Sequence, residues 1–234
     1  MKNMMFIDMI VNKSETFLKK ELKDSGFDVN EPIDGLLVVN NFLSKNDILE
    51  YFNIINNTKE EDWHIQYTEG LKTFCMQKFG RDDVENLVAE GKFEITEGWK
   101  DKNLNISNYP ITQRIYQKIQ PLIEINNPGL ELNGFGSFQR MQESIQLTSH
   151  VDQHTDPSIQ YAAIIYLNDD YGGGEIFFKN KNFEIKPTPG SLLIFPGNDE
   201  FEHGVRPVEN TTIRYVVIGF IRIKNFYEIG RAHV

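Results

Sequence analysis

The chain has 234 residues, of which 40% are hydrophobic, and its formal net charge is −10 at pH 7. This length suits one large domain with a sizeable core, and no apolar run approaches the roughly 20 residues of a membrane-spanning helix. The negative charge disfavours binding to nucleic-acid phosphates. Because Cys75 is the only cysteine, an internal disulfide and a cysteine-only metal site within the chain are excluded. We expect cytoplasmic residence, with any metal held by nitrogen and oxygen ligands.

The first half of the chain predicts helices. Ser44 precedes Asp47 at the spacing of a capping box, and an apolar face at helical spacing follows. A second helix is expected to begin at Pro110, because proline is tolerated in the first helical turn. Pro121 is expected to kink or end this helix, because proline cannot donate a backbone hydrogen bond.

After residue 130 the pattern changes to short strands separated by glycine and proline turns. The predicted strands are residues 135–142, 161–168, 175–180, 183–187, 191–196, 203–208 and 212–223. The run NDDYGGG between two of them is typical of a turn, since Asp, Asn and Gly tolerate unusual backbone angles. Many short strands of this kind indicate a sandwich or a jelly-roll barrel. We therefore expect an α+β protein with a mainly β core and helices packed outside it.

The stretch HVDQHTDP holds two His-x-Asp pairs, His150 with Asp152 and His154 with Asp156. Side chains two residues apart leave the same face of a strand, so either pair could offer two ligands to one metal. Joined by the distant His203, such a pair would give the two-histidine, one-carboxylate facial triad of non-haem Fe(II) oxygenases. An isolated His-x-Asp pair is more typical of a polar loop, so the pattern alone leaves both pairs open.

Arg214 lies inside the apolar strand TIRYVVIGF. An arginine in such a strand costs free energy unless its charge is paired, and its planar fork suits a carboxylate. Strand alternation places Arg214 on one face with Val216 and Ile218, among apolar neighbours. This placement favours a buried contact with a ligand over a solvated arginine on an edge strand.

These motifs occur together in one order, HVD, YLNDDYGGGEIFF, IKPTPGSLLIFP, HGVRPV and TIRYVVIGF. The series resembles the 2-oxoglutarate- and Fe(II)-dependent dioxygenases, in their prolyl 4-hydroxylase-like branch and especially its phage and bacterial members. The resemblance implies a double-stranded β-helix barrel, a jelly roll of cupin type, over residues 133–223. It also implies a single oxygenase domain over residues 36–227, preceded by an N-terminal segment of residues 1–35. A phage-encoded protein of this type would reside in the host cytoplasm.

The same resemblance implies an Fe(II) site and a co-substrate clamp. The implied iron ligands are His150, Asp152 and His203. Arg214 would hold the distal carboxylate of 2-oxoglutarate, and Arg206 is the alternative basic residue. Tyr166, in the YLN motif, matches a family position whose hydroxyl can join that contact, although a core aromatic is an equal interpretation.

The resemblance and local turn chemistry together favour the first His-x-Asp pair as the metal ligands. The gap from this pair to the YLN strand matches the prolyl hydroxylase-like members. Asp156 is followed by Pro157, which is typical of the start of a turn. We therefore expect His154 and Asp156 at the rim of the pocket, touching substrate or orienting a ligand. Arg140, on the preceding strand, is a further candidate for this role, although a satisfied barrel residue is the favoured interpretation.

The implied reaction consumes 2-oxoglutarate and O2, releases succinate and CO2, and hydroxylates an organic substrate. Ascorbate is a common reductant of the family. A peptidyl proline is the leading substrate, so a peptide or protein partner is expected, whereas nucleic acid and membrane are not. The substrate contacts are expected in residues 62–105 and 153–160. The alternatives are the same chemistry on a free amino acid or small metabolite, and a non-catalytic cupin-like metal-binding barrel.

The chain ends in IGRAHV, residues 229–234. One frame of a widely used sequencing-library adapter translates to the same residues. We therefore expect residues 228–234 to be a non-native tail and leave it out of the fold prediction. An ordinary polar C-terminus is the alternative.

Overall fold

The computed structural model of the chain describes residues 18–59, 109–143 and 146–226. Residues 18–24 are helical, and the further α-helices are α1 (Lys45–Asn57), α2 (Pro110–Asn126) and the one-turn α3 (Asp152–Thr155). The strands are β1 (Asp28–Ile33), β2 (Leu36–Asn40), β3 (Leu130–Met141), β4 (Leu147–His150), β5 (Ile159–Tyr166), β6 (Gly172–Gly173), β7 (Ile176–Phe178), β8 (Phe183–Ile185), β9 (Leu192–Pro196), β10 (His203–Val205), β11 (Val208–Glu209) and β12 (Arg214–Ile223). Cys75, the expected substrate loop 62–105 and the tail 228–234 lie outside the described residues.

Two antiparallel sheets form the core of the protein. One has six strands in the order β1-β2-β9-β5-β12-β3, and the other has four in the order β4-β10-β7-β8. From β3 to β12 the chain passes back and forth between the two sheets, so sequence neighbours such as β4 and β5 lie in different layers. This winding is the double-stranded β-helix that the sequence predicted.

Strand alternation separates two layers of apolar side chains. Side chains such as Tyr166, Phe178 and Phe195 pack between the two sheets. Side chains of the opposite face of the six-stranded sheet, such as Val217, pack against α1 and α2. Both faces of β5 and β9 are therefore covered, which explains why these strands are almost continuously apolar in sequence.

The helices begin as the sequence predicted, but one does not end as predicted. The Ser44 side chain accepts a hydrogen bond from the Asp47 amide, and the Asp47 carboxylate accepts one from the Ser44 amide, which confirms the capping box. α2 begins at Pro110 and continues through Pro121 to Asn126, so Pro121 does not end it. Pro121 lies on the exposed side of α2, where water can solvate the backbone carbonyl that loses its partner.

Strand pairing and core packing connect the segment before residue 36 to the segment after it. The boundary between residues 35 and 36 falls in the turn of the β1–β2 hairpin, whose strands pair directly. Leu18 and Leu22 of the preceding helical segment are buried in the same core as α1 and α2. Residues 18–35 therefore share sheet pairing and core packing with the residues that follow, which composition alone does not predict.

The first strand of the catalytic core is also longer than predicted. β3 begins at Leu130, and Leu130 and Leu132 are buried. The sequence Asn-Pro-Gly before it forms the turn after α2, so the strand begins directly after that turn. No helix among the described residues is long and apolar enough to cross a membrane.

Candidate metal centre and co-substrate pocket

Three side chains that are far apart in sequence converge in the structure. His150, Asp152 and His203 each offer one ligand atom, and these atoms lie within 4.8 Å of one another. The distance from His150 Nε2 to Asp152 Oδ1 is 3.6 Å, and the distance from His203 Nε2 to Asp152 Oδ2 is 3.9 Å. In the described part of the chain, no other three His, Cys, Asp or Glu side chains converge in this way.

Sheet pairing brings the two histidines together. His150 ends β4 and His203 begins β10, and the two residues are direct partners in the antiparallel ladder. Their ring centroids are 4.3 Å apart. Asp152 is the first residue of α3, immediately after β4, so a turn of the chain returns its carboxylate to the same point.

The backbone fixes the orientation of both imidazole rings. The Nδ1–H group of His150 donates to the carbonyl oxygen of Thr148 over 2.9 Å, and that of His203 donates to the carbonyl oxygen of Phe201 over 2.9 Å. A carbonyl only accepts, so each Nδ1 carries the hydrogen and each Nε2 keeps a lone pair. Both lone pairs therefore belong to the nitrogens that face Asp152.

This donor set fits a ferrous ion. Two neutral imidazole nitrogens and one carboxylate oxygen on one side of a metal form the facial triad of non-haem Fe(II) oxygenases, which leaves coordination positions open. His203 is 4% exposed and Asp152 is 7% exposed, so a metal between them would lie at the edge of the barrel interior. His150, Asp152 and His203 are the residues that would hold it.

The second His-x-Asp pair does not join this group. His154 Nε2 lies 2.8 Å from Asp199 Oδ1, and both side chains are largely exposed. Asp156 accepts hydrogen bonds from the amide and hydroxyl of Ser158 and from Arg222. These contacts connect α3 to neighbouring segments. His154 and Asp156 therefore stabilise the helical turn that carries Asp152.

A second polar feature inside the barrel is the buried Arg214. Its side chain is among the largest fully buried ones, at 1% exposure. Its Nη2 donates to the Tyr166 hydroxyl over 3.0 Å, and its Nη1 donates to Met141 Sδ over 3.5 Å. Both acceptors are uncharged, so within the described residues the guanidinium has no carboxylate partner. A buried cation without a counter-ion costs several kcal/mol, so this pocket suits an anionic ligand.

Burial also determines the protonation of Tyr166. It raises the pKa of the Tyr166 hydroxyl, whereas the Arg214 guanidinium opposes that rise. The hydroxyl therefore stays protonated at neutral pH. It accepts a hydrogen bond from Arg214 and keeps its own hydrogen to donate to a ligand.

The surroundings of Arg214 and the converging side chains of His150, Asp152 and His203 both lie along strands β4 and β10. Val205, two residues after His203 on β10, pairs with Leu147 of β4. Both pack in a small cluster with Met141, the residue that contacts Arg214. Two residues of strand correspond to roughly 7 Å, so one small dicarboxylate could contact both Arg214 and a metal.

Two further basic residues, Arg206 and Arg140, lie away from Arg214 in the structure. Arg206 is half exposed, pairs with Glu184 over 3.0 Å and stacks on the ring of Phe177. Arg140 is the ladder partner of Tyr215, so it lies on the face of the sheet that is opposite to the pocket. Side chains alternate along β3, so Met141 faces inward and its neighbour Arg140 faces outward.

Sequence analysis missed two residues of the pocket wall, Met141 and Tyr171. Tyr171 is 3% exposed and packs in the same cluster as Met141, although its motif NDDYGGG predicted only a turn. The large aromatic residue among turn-forming residues indicated a buried position in the sequence, because turns exposed to solvent are usually made of small polar residues and glycine.

The comparisons with known proteins agree with this geometry. Residues 136–222 match the sequence model of the 2OG-Fe(II) oxygenase superfamily. The chain is 26% identical over 163 residues to "2-oxoglutarate and iron-dependent oxygenase domain-containing protein 3" of Xenopus tropicalis. This match covers 64% of the chain and 48% of that relative. The chain therefore spans about half the length of this curated relative.

Two solved structures share the fold. One is a prolyl-4-hydroxylase of Pseudomonas putida, with a TM-score of 0.51, 15% identity, and 88% of this chain and 99% of that chain covered. The other is a prolyl hydroxylase from Trichoplax adhaerens in complex with a hypoxia inducible factor oxygen degradation domain peptide fragment. Its TM-score is 0.51 at 14% identity, with 97% of this chain and 95% of that chain covered. These likenesses confirm the double-stranded β-helix fold.

Proposed function

We propose that this chain, whose residues 136–222 match the sequence model of the 2OG-Fe(II) oxygenase superfamily, is a 2-oxoglutarate-dependent dioxygenase that hydroxylates a prolyl residue in a peptide. The iron ligands in this proposal are His150, Asp152 and His203. The observation that carries it is the convergence of these side chains beside the buried, carboxylate-free Arg214. A metal-binding barrel without this co-substrate would have no need of a buried guanidinium.

Hydrogen bonds preorganise the proposed metal ligands before a metal binds. The hydrogen bonds from Nδ1 to the Thr148 and Phe201 carbonyls hold both imidazoles with Nε2 toward the centre. The Asp152 carboxylate supplies negative charge to a dication. Bound Fe(II) supplies the oxidation chemistry that couples conversion of 2-oxoglutarate and O2 into succinate and CO2 to hydroxylation of a substrate C–H bond.

The co-substrate is held by Arg214 and Tyr166. The guanidinium fork and the protonated Tyr166 hydroxyl present several N–H and O–H donors to a carboxylate. This contact also removes the cost of an unpaired buried cation. Arg214 would therefore hold the distal carboxylate of 2-oxoglutarate. The apolar walls around this pocket limit the access of water.

The peptidyl-proline substrate rests on the two structural relatives, which are named as prolyl hydroxylases, one of them in a peptide complex. Their likeness to this chain is one of fold, so the substrate is the part of the proposal that most needs a direct test. We also propose ascorbate as the reductant that keeps the iron ferrous.

The test is to measure succinate release from 2-oxoglutarate by the purified full chain with Fe(II), ascorbate and a library of paired peptides. Each pair differs by proline or alanine at one position. We expect faster succinate release with the proline member and the gain of one oxygen atom by that peptide. His203→Ala should abolish both readouts, whereas His154→Ala, on the neighbouring pair, should retain them.

Other outcomes would separate the alternatives. Oxidation of a free amino acid without any peptide turnover would keep the iron chemistry and overturn the peptide substrate. A protein that binds Fe(II) but shows no affinity for 2-oxoglutarate would be a non-catalytic metal-binding barrel, and the proposal would fail.

A further inference from the structure

Two buried polar groups near the co-substrate pocket have no hydrogen bond of good geometry among the described residues, although the Tyr171 side chain lies close to Arg214. They are the Nε–H group of Arg214 and the hydroxyl of Tyr171. The two residues are 1% and 3% exposed, so bulk water does not satisfy these groups. Most buried polar groups in proteins are paired, and leaving one unpaired costs about 1–3 kcal/mol. A ligand that pairs with both would explain their arrangement.

Gly174 places Tyr171 beside Arg214. A Cβ atom at this position would lie 2.8 Å from Cε2 of Tyr171 and 3.2 Å from Cδ of Arg214. The tyrosine ring and the arginine stem therefore pack against the same glycine, which also has a φ of +69°. A larger residue would push the two side chains apart, because its side chain would occupy the space between them.

The Tyr171 ring is fixed from its other side. The Lys186 ammonium donates a hydrogen bond to the backbone carbonyl of Tyr171. It also lies over the face of the ring, 4.2 Å from the centroid. Met141, Val205 and Val208 complete the apolar surroundings of the ring. The ring is therefore held between a cation on its face and the stem of Arg214 near its edge.

We infer that the Tyr171 hydroxyl is a third donor to the distal carboxylate of 2-oxoglutarate, together with Arg214 and Tyr166. This inference rests on the proposed function and adds a specificity-determining residue to it. An ionised carboxylate offers about four lone-pair positions, so it can accept from the guanidinium fork and from two hydroxyls at once.

The protonation of Tyr171 supports this role. Burial raises the pKa of its hydroxyl well above the ordinary value, and Arg214 only partly opposes that rise, through its charge and through a side-chain hydrogen bond that leaves the tyrosine its own hydrogen to donate. The hydroxyl is therefore a donor at every physiological pH. A 2-oxo acid without a distal carboxylate would leave the three donors unpaired, so this pocket selects for a dicarboxylate.

The test is Tyr171→Phe, which removes only the hydroxyl. Binding of 2-oxoglutarate to the Mn(II)-loaded full chain is measured by calorimetry without oxygen, beside binding of 2-oxobutyrate, which lacks the distal carboxylate. We expect Tyr171→Phe to weaken 2-oxoglutarate binding by about 10- to 100-fold, since a hydrogen bond to a charged group contributes about 1.5–3 kcal/mol. Affinity for 2-oxobutyrate and for Mn(II) alone should not change.

The matched control is Tyr51→Phe. Tyr51 is an equally buried tyrosine of the helix-side core, and its loss of a hydroxyl should leave 2-oxoglutarate binding unchanged. Equal binding of 2-oxoglutarate by Tyr171→Phe and the native chain would overturn the inference. Equal weakening of both oxo acids would overturn it too, because the effect would then not involve the distal carboxylate. If the native chain binds no 2-oxoglutarate, the proposed function itself fails.

Discussion

Ser149 donates a hydrogen bond to the Glu202 carboxylate, with 2.7 Å between Oγ and Oε1, and this bond joins the strands of the two candidate ligand histidines, His150 and His203. Ser149 directly precedes His150, and Glu202 directly precedes His203. The Lys179 ammonium donates to the same carboxylate oxygen over 2.9 Å. Each histidine therefore comes directly after a residue of this hydrogen-bonded group, which lies on the solvent side of the sheet.

We expect Glu202→Ala to weaken metal binding by roughly tenfold, because groups that support metal ligands commonly contribute that much to affinity. Without the bond between Ser149 and Glu202, β4 and β10 keep their ladder but lose a contact beside the two ligands. The measurement is a Co(II) titration of the metal-free chain, in which the visible absorption spectrum reports the coordination geometry. Glu202→Gln retains an acceptor for Ser149 and should restore most of the affinity and the native spectrum.

Glu200→Ala is the matched control for this change. Glu200 pairs with Lys181 in the turn before Glu202 and has no bond to β4 in the described structure. Its removal should leave the Co(II) spectrum unaltered. A spectrum and affinity of Glu202→Ala equal to those of the native chain would show that the ladder alone positions the histidines.

Alanine substitutions at the two aspartates of the HVDQHTDP stretch should affect different properties, metal binding in one case and folding stability in the other. Asp152→Ala should abolish metal binding with little loss of folding stability, because Asp152 is a member of the converging group. Asp156→Ala should keep metal binding but lower the free energy of unfolding by about 1–3 kcal/mol, since Arg222 and the Ser158 amide lose their acceptor. Metal titration and urea denaturation of both variants measure the two effects. Loss of metal only in Asp156→Ala would reverse the ligand assignment.

Replacing Arg214 by methionine should separate binding from stability. Arg214→Met should lower 2-oxoglutarate affinity by at least about 30-fold, since removing one partner of a buried charge pair costs about 2–5 kcal/mol. The ligand-free chain should be equally stable or more stable, because the variant no longer buries a cation that lacks a carboxylate partner. Calorimetry with 2-oxoglutarate and thermal unfolding without it are the measurements. A large loss of thermal stability would instead assign Arg214 a structural role.

Gly174→Ala should weaken 2-oxoglutarate binding, because the added methyl group would collide with Tyr171 and displace the stem of Arg214. The control is Gly26→Ala, since Gly26 also has a positive φ, of +86°, but has open space around it. Both variants should lose about 1 kcal/mol or more of stability from backbone strain. Only Gly174→Ala should also lose co-substrate affinity in calorimetry, and a similar loss in Gly26→Ala would contradict this explanation.

Local patterns predicted much of the barrel, because short alternating or continuous apolar runs between turn residues indicate strands in a single sequence. The two-residue period of a strand placed Arg214 and Val216 on the inward face of β12, as the structure has them. The same rule excludes Arg140 from the pocket once β3 and β12 are known to pair. The sequence alone left both faces open for Arg140, because the inward face of β3 depends on that pairing, which adjacent residues do not encode.

The amino-acid sequence by itself determined the donor chemistry: two histidines, an aspartate and an arginine in an apolar strand, in the order of a known oxygenase family. Only the tertiary structure decided which His-x-Asp pair meets His203, because the ladder between β4 and β10 joins residues 53 positions apart (203 − 150 = 53). It also decided that Tyr171 belongs to the pocket, since Gly174 brings that ring against Arg214. Spacing along a chain does not specify such contacts, because they depend on how distant strands pair and pack.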